Sequence, residues 1–329
     1  MLIVSIGCPA GIGPEVCLWA ADRVRSVPRV LVGDEGTIRA AAETTRVPQS
    51  RLVPFQEGCL RNDRIHIWPV GQLSARDRRP GRPTEASARA QLRWIDSAFD
   101  LARTGPHRAL VTGPVSKAAI ARSGAPGAAR FRGHTEWLCR RDGSAVSVMC
   151  FVAPQLVTSL ATTHVPIARV PRVLTAESVA HATVWLGRLL NRLQCQAPRL
   201  AICSLNPHAG ESELLGLEEK RAIVPGMRRA SRLLGGQVHL TGPLGAETAY
   251  RMAHAGGFDG VVAMYHDQAT IPTKLVAFGQ AVNVTMGLSV VRTSVDHGTG
   301  YDIAWQGTAR PEGMVRALKL AAQLVRTPG

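Results

Sequence analysis

Three histidines stand where strand-like stretches give way to polar turns. His164 follows Thr162-Thr163, His208 lies in Asn206-Pro207-His208-Ala209-Gly210-Glu211, and His266 lies in Tyr265-His266-Asp267-Gln268. Neutral imidazoles converging on one sheet edge bind a divalent ion and leave positions open for substrate, the pattern of a catalytic rather than a structural metal site. Taken singly, each is as well explained as a hydrogen-bonded or exposed side chain; the repeated strand-end position is what points to a metal. A second set suits an anion. Lys274, Asn283 and Arg292 fall at successive element ends, and Gly133-His134-Thr135-Glu136 puts an imidazole and a hydroxyl at a helix start. Two cations and an amide donor fit a phosphate monoester, with arginine able to grip two oxygens at once. Ordinary surface charge is the plainer account of the same residues.

The lysines sharpen this. Only Lys117, Lys220, Lys274 and Lys319 are lysines, and every other Lys/Arg position is arginine. A lysine retained on that background marks a position where a titratable ammonium has a use, since arginine does not give up its proton. Lys117 and Lys274 sit in Gly/Pro-punctuated motifs, whereas Lys220 and Lys319 lie on helix-like stretches. The turn Gly7-Cys8-Pro9-Ala10-Gly11-Ile12-Gly13 has the glycines of a phosphate cradle but not the spacing of a dinucleotide fingerprint or a Walker loop. A ligand loop and a mere tight turn both remain open. The stretch TSVDHGTGYD, Thr293 to Asp302, is polar and glycine-rich and reads as a site loop.

The elements that must position these residues alternate. Leu2 to Ile6 reads as a buried strand, Pro14-Glu15 opens a helix to about Arg25, Arg29 to Val32 is a strand, and Thr37 to Ala42 is helical. Gln72 to Pro83 is loop, Glu85 to Arg103 a long helix and Ala109 to Thr112 a strand running into Gly113-Pro114-Val115-Ser116-Lys117. Further strands are expected near Val146 to Val152, Leu156 to Thr162, Leu200 to Cys203, Gly260 to Met264 and Ala281 to Val284. Helices are expected near Ala176 to Leu193, Glu213 to Leu234, Glu247 to Ala255 and Pro311 to Val325. Such alternation predicts an α/β protein with a largely parallel sheet covered on both faces, whose ligands gather at the carboxyl ends of strands.

Composition narrows the class. A chain of 329 residues with 45% hydrophobic content has room for about two domains, and 5% aromatics means a core of Val, Leu, Ile and Ala. No apolar run is long enough to span a membrane, and Met1 to Cys8 reads as a strand rather than a processing signal. The formal charge of +15 invites a nucleic-acid reading, but the arginines are scattered, the densest run, Arg76 to Arg82, lies in a loop, and no zinc-finger or RNA-binding motif accompanies them. Nucleic acid is not expected as the main partner. The seven cysteines are odd in number and never spaced C-x-x-C, which predicts reduced thiols and a cytoplasmic protein.

These motifs, in order, resemble the 4-hydroxythreonine-4-phosphate dehydrogenase family over nearly the whole chain. The matching segments are GCPAGIGPE (Gly7 to Glu15), TGPVSK (Thr112 to Lys117), GHTE (Gly133 to Glu136), SLNPHAGE (Ser204 to Glu211), GPLGAET (Gly242 to Thr248), YHDQ (Tyr265 to Gln268), and NVTMGL with RTSVDHGT between Asn283 and Thr299. The resemblance implies a two-lobed α/β/α subunit related to isocitrate and isopropylmalate dehydrogenases, with residues 1–135 plus 292–329 as the first lobe and 136–291 as the second. The second lobe would carry the metal ligands and the interface of a homodimer whose active site lies in the interlobe cleft and is completed by the partner. It further implies a divalent metal (Zn, Mg or Co) on His164, His208 and His266, substrate contacts from His134, Thr135, Lys274, Asn283 and Arg292, and NAD or NADP as oxidant. The substrate would be a small phosphorylated hydroxy acid, 4-phosphooxy-L-threonine, oxidised to a 3-keto acid that decarboxylates to 3-amino-2-oxopropyl phosphate on the route to pyridoxal phosphate. Lys117 and Asp267 are the candidates for proton transfer. The cofactor contacts cannot be read from a motif.

Two departures stand out: Cys8 where the family usually has Asp, and Glu247 where it often has Asp. They leave open an altered substrate or a lapsed relative kept as a binding protein. The alternatives within the fold are 4-phospho-D-threonate and 4-phospho-D-erythronate dehydrogenases; a non-phosphorylated dihydrodiol acid is disfavoured by Lys274 and Arg292. From another class, three histidines would serve a metal-dependent hydrolase with no need of a nicotinamide.

Overall fold

The computed structural model describes residues 1–326. Its strands are β1 (Leu2–Ser5), β2 (Arg29–Gly33), β3 (Leu52–Pro54), β4 (Ile65–Pro69), β5 (Ala109–Thr112), β6 (Val148–Ala153), β7 (Leu156–Leu160), β8 (Arg199–Cys203), β9 (His239–Leu244), β10 (Gly260–Ala263), β11 (Val282–Met286) and β12 (Val291–Val295). Contacts divide the chain into a first unit, Met1–Ala145 with Leu288–Arg326, and a second unit, Val146–Gly287.

In the first unit six strands lie in the order β3-β4-β2-β1-β5-β12, all parallel. Strands β1, β2 and β5 are buried along their whole length, as expected of a parallel sheet covered on both faces. The helix Glu85–Arg103 shows why such segments form where they do. Thr84 and Ser87 cap its start reciprocally, and Leu92, Ile95 and Phe99 return to one face and are buried. Each such side chain contributes roughly 1.5–3 kcal/mol by leaving water. Its Trp94 indole, fully buried, donates to the Val70 carbonyl at 2.8 Å, which satisfies the one polar atom that burial strands.

The second unit carries the order β11-β6-β7-β10-β8-β9. Here the sheet is mixed: β6 runs antiparallel to both β11 and β7, and the remaining pairs are parallel. The reason is local, since β6 and β7 are separated only by the turn at Pro154 and Gln155. A connection that short closes a hairpin, whereas a parallel crossover needs a dozen or more residues.

Several expectations are corrected. By contacts the first unit runs to Ala145 and resumes at Leu288. The helix His134–Asp142 is tied to it, because Trp137 Nε1 donates to Asp96 at 2.7 Å and the Asp142 carboxylate accepts the Ser289 amide at 2.8 Å. The stretch from Thr293 is not all loop: β12 claims Thr293 to Val295, with Thr293 Oγ1 donating to Ala317 O at 2.9 Å, so a polar residue is accommodated in the interior. The helix expected from Glu213 begins only at a π-helical turn, Glu219–Ile223, followed by Val224–Leu234, because residues 208–213 take left-handed backbone angles. Strands β3, β4 and β9 and the helix His266–Ala277 had no sequence expectation. No helix among the described residues is long and apolar enough to cross a membrane.

Candidate active site

Strand β12 pairs with β5 so that Arg292 lies opposite Leu110, two residues before Thr112 at the strand end. Arg292 is buried, at 2% exposure, and its guanidinium donates to Thr112 Oγ1 at 2.6 Å and to Thr135 Oγ1 at 3.5 Å. Burial pushes its pKa down to about 10, against the pull of the neighbouring Glu136 carboxylate, so it keeps its charge at neutral pH. A buried cation of this kind is held by hydroxyl dipoles and one carboxylate, and a second anion improves its balance.

His134 opens the helix His134–Asp142 beside this arginine. Its Nε2 is buried with no hydrogen-bond partner in the protein. Burial first, then the positive charges of Arg292 and Lys117, hold the imidazole well below its ordinary range, so it is neutral at neutral pH. Lys117 reaches the same place: a Cβ built on Gly133 would stand 3.7 Å from Lys117 Nζ and 2.9 Å from Glu136 Oε2. A side chain at Gly133 would press on the Glu136 carboxylate, which would have to shift. Thus His134, Thr135, Lys117 and Arg292, three widely separated segments, meet in the first unit around an arrangement suited to an anion: two cations, a hydroxyl and a neutral imidazole at a helix start.

In the second unit β7 and β10 are parallel neighbours, and His164 and His266 each follow one of them. Their rings lie 5.7 Å apart between centroids. His266 Nδ1 donates to the Asp267 carboxylate at 2.7 Å, a support that orients a ring and leaves its other nitrogen for a ligand. His208 follows β8 on the turn Pro207–Gly210, with φ of 51°, a largely exposed side chain and Glu211 Oε2 3.9 Å from its Nδ1. Among the described residues no group of three or more His, Cys, Asp or Glu is arranged to hold a metal ion. The structure brings His164 and His266 together and places His208 on a separate turn.

Lys274 lies in the third turn of the helix His266–Ala277, and Asn283 lies on β11 opposite Phe151. Asn283 Oδ1 is buried without a partner. An acceptor left so costs about 1–3 kcal/mol, and a ligand donor relieves that cost. Of the two proton-transfer candidates, Lys117 stands with His134 and Arg292, while Asp267 is engaged by His266.

The glycine-rich first turn packs against two other segments. Cys8 N–H donates to Pro114 O at 2.8 Å, Gly11 N–H to Cys8 O at 3.1 Å and Ile12 N–H to Thr299 O at 2.8 Å. Gly7, at φ +79°, could not carry a Cβ, which would stand 2.4 Å from Pro114 O. The turn binds the TGPVSK segment and the loop after β12 to one another. The Cys8 thiol is buried 3.5 Å from Tyr301 Oη, and burial pushes its pKa up. Glu247 is exposed and bonded to its neighbours Thr248 and Arg251. Sequence reasoning missed Thr112 and Glu136, although both lie in motifs it quoted; nothing local to either marks it as a partner of Arg292.

The sequence model of the family described as "Pyridoxal phosphate biosynthetic protein PdxA" matches residues 25–321. The chain is 38% identical to a 4-hydroxythreonine-4-phosphate dehydrogenase of Geobacter metallireducens, covering 100% of this chain and 96% of the relative. It is 40% identical to that of Acidithiobacillus ferrooxidans, covering 99% and 96%. Among solved structures, the 4-hydroxythreonine-4-phosphate dehydrogenase of Klebsiella pneumoniae superimposes with a TM-score of 0.84 at 34% identity, over 99% of this chain and 98% of that one.

Proposed function

Because the chain belongs to the PdxA family of pyridoxal phosphate biosynthetic dehydrogenases, we propose that it oxidises 4-phosphooxy-L-threonine with NAD or NADP, and that the keto acid formed loses carbon dioxide to give 3-amino-2-oxopropyl phosphate. The single observation that carries this reading is the buried Arg292, with the neutral His134 and with Lys117 close by. A phosphorylated acid brings the anionic charge that such a cluster balances. Membership of a dehydrogenase family removes the support for a metal-dependent hydrolase.

We assign the substrate contacts to His134, Thr135, Lys274, Asn283 and Arg292. Arg292, fixed by Thr112 and Thr135, grips anionic oxygens with a fork whose orientation is set before the substrate arrives. The neutral His134 offers a hydrogen bond from Nε2 without adding charge. Asn283 Oδ1 accepts from a substrate N–H or O–H.

In the redox step the carbinol C–H bond breaks, its hydrogen and electron pair would pass to a bound nicotinamide, and the hydroxyl proton passes to the Asp267 carboxylate, with the Lys117 ammonium assigned as the acid. The C–C bond to the carboxylate then breaks, carbon dioxide leaves, and the carbon it vacates takes a proton from Lys117, or alternatively from the protonated Asp267. A divalent ion (Zn, Mg or Co), when held by His164, His266 and His208, supplies positive charge that favours loss of the hydroxyl proton.

A homodimer fits the helix His266–Ala277, on which Ile271 and Leu275, followed by Phe278, are 65%, 83% and 82% exposed. A stripe of this kind on a soluble enzyme is covered by a partner, here a second copy that completes the active site. Seven free cysteines accord with a cytoplasmic location.

The test is an assay of NAD(P) reduction by the metal-reconstituted protein with 4-phosphooxy-L-threonine beside 4-phospho-D-threonate and 4-phospho-D-erythronate, with a chelated control. Turnover of the first, lost on chelation, is the expected result. Turnover of only the other two keeps the chemistry and refutes the substrate; silence on all three refutes the reading.

A further inference from the structure

The arginines that look dispersed along the chain are partly gathered by the second unit. Between Glu177 and Glu211, and again between Glu219 and Glu247, there is no Asp or Glu. These stretches contain the helices Ala176–Arg192 and Val224–Leu234. The two pack side by side and run parallel: a Cβ on Gly226 would stand 2.7 Å from Val179 Cβ, and one on Gly187 would stand 3.4 Å from Leu234, so contacts advance in step along both.

On the first helix His181, Trp185, Arg188 and Arg192 fall at i, i+4, i+7 and i+11, a single stripe that is partly or fully exposed. On the second, Gly226, Ala230 and Leu234 form the inward stripe, which turns Arg228, Arg229 and Arg232 to solvent. The only acidic side chain on these two helices is Glu177, 3.7 Å from Arg229 and 3.9 Å from His181. The Arg188 guanidinium lies over the Trp185 ring, 4.8 Å from its centroid. Where the first helix ends, a groove of about 750 Å³ opens, lined by Asn191, Gln194, Gln196 and Gln237 together with Cys195 and Ala197.

We propose that this face binds single-stranded nucleic acid. Arg188, Arg228, Arg229 and Arg232 run along the phosphates, Trp185 offers a ring to a base, and the four amides, each both donor and acceptor, meet base edges in the groove. Arginines alone would suit any polyanion. The aromatic ring and the amide-lined groove beside them suit unpaired bases and have no use for an acidic peptide. The surface is built apart from the residues assigned to the dehydrogenase reaction, so it stands or falls independently of that reading.

The test is fluorescence anisotropy of the full-length protein with labelled oligodeoxyuridylate and oligouridylate, which differ only in the sugar, over a range of salt. Expected is saturable binding whose log affinity falls with log salt by about 0.7 per phosphate neutralised. Arg188→Glu/Arg228→Glu/Arg232→Glu loses at least tenfold in affinity and flattens the slope by about 2, and Trp185→Ala weakens binding roughly tenfold with the slope kept. Arg76→Glu/Arg79→Glu/Arg82→Glu, the same charge change on an exposed loop, binds as wild type. Unequal affinity for the two oligomers supports the proposal and assigns the sugar. No saturable binding to either, equal losses in the two triple variants, or competition by polyglutamate as effective as by oligonucleotide overturns it, the last in favour of an acidic protein partner.

Discussion

Arg292 donates a 2.6 Å hydrogen bond to Thr112 Oγ1, across 180 residues of sequence and between the neighbouring strands β12 and β5, with both side chains buried. Hydrogen bonds to charged groups contribute about 1.5–3 kcal/mol. In Thr112→Val the shape survives and the acceptor is gone, so the guanidinium loses its aim. The expected result is a rise of about tenfold or more in substrate KM with a smaller change in kcat, and recovery in Thr112→Ser. An unchanged KM in the Val variant would show that the residue merely fills space.

His134 gives a pH dependence whose sign is fixed. Burial, Arg292 and Lys117 hold the folded imidazole below its ordinary 6.5, so below that pH the unfolded chain binds the proton more readily than the folded one. Its contribution to stability is intact above pH 6.5 and declines as pH falls through the window down to the folded value. Urea midpoints measured across this window should fall less steeply in His134→Asn than in wild type. Identical slopes would mean that the imidazole titrates alike in the folded and unfolded chain.

Leu275 and Phe278 are the most exposed of the large apolar side chains on and just after the helix His266–Ala277. Leu275→Glu/Phe278→Glu should sediment as a monomer and lose most turnover, while keeping the wild-type far-UV circular dichroism. A double variant that still sediments as a dimer would place the interface elsewhere.

Cys8 is buried with Tyr301 as its hydroxyl neighbour. An aspartate there loses water and meets only the Tyr301 hydroxyl and the Ala10 and Gly11 amides that now face the thiol, and a buried carboxylate costs more than a neutral group where its hydrogen bonds are incomplete. Cys8→Asp should therefore lower the Tm by several degrees, more so when combined with Tyr301→Phe, and leave turnover within threefold. A large gain in turnover from Cys8→Asp would instead identify the thiol as a lesion in the active site.

What was legible in the sequence was whatever is repeated or local. Strand β5 and the helix Glu85–Arg103 lie where hydrophobic alternation and a Thr/Ser capping box place them, because burial of one face and satisfaction of end amides are properties of short segments. The short strands β3 and β9 were not legible, being partly exposed at sheet edges and carrying little apolar pattern. The candidate site residues were picked out by type and motif, yet their grouping was not: His164 and His266 are neighbours through β7 and β10, whereas His208 stands on a turn of left-handed backbone.

By itself the sequence determined the family, the alternating α/β plan and the side chains able to carry the chemistry, since composition, periodicity and motif order are all written along one dimension. Only the tertiary structure decided which of those side chains meet. Strand order sets Thr112 beside Arg292, the turn at Pro154 and Gln155 reverses β6 against β7, and two parallel helices collect arginines that the chain keeps far apart. Each depends on contacts between distant segments, whose pairing no local pattern encodes.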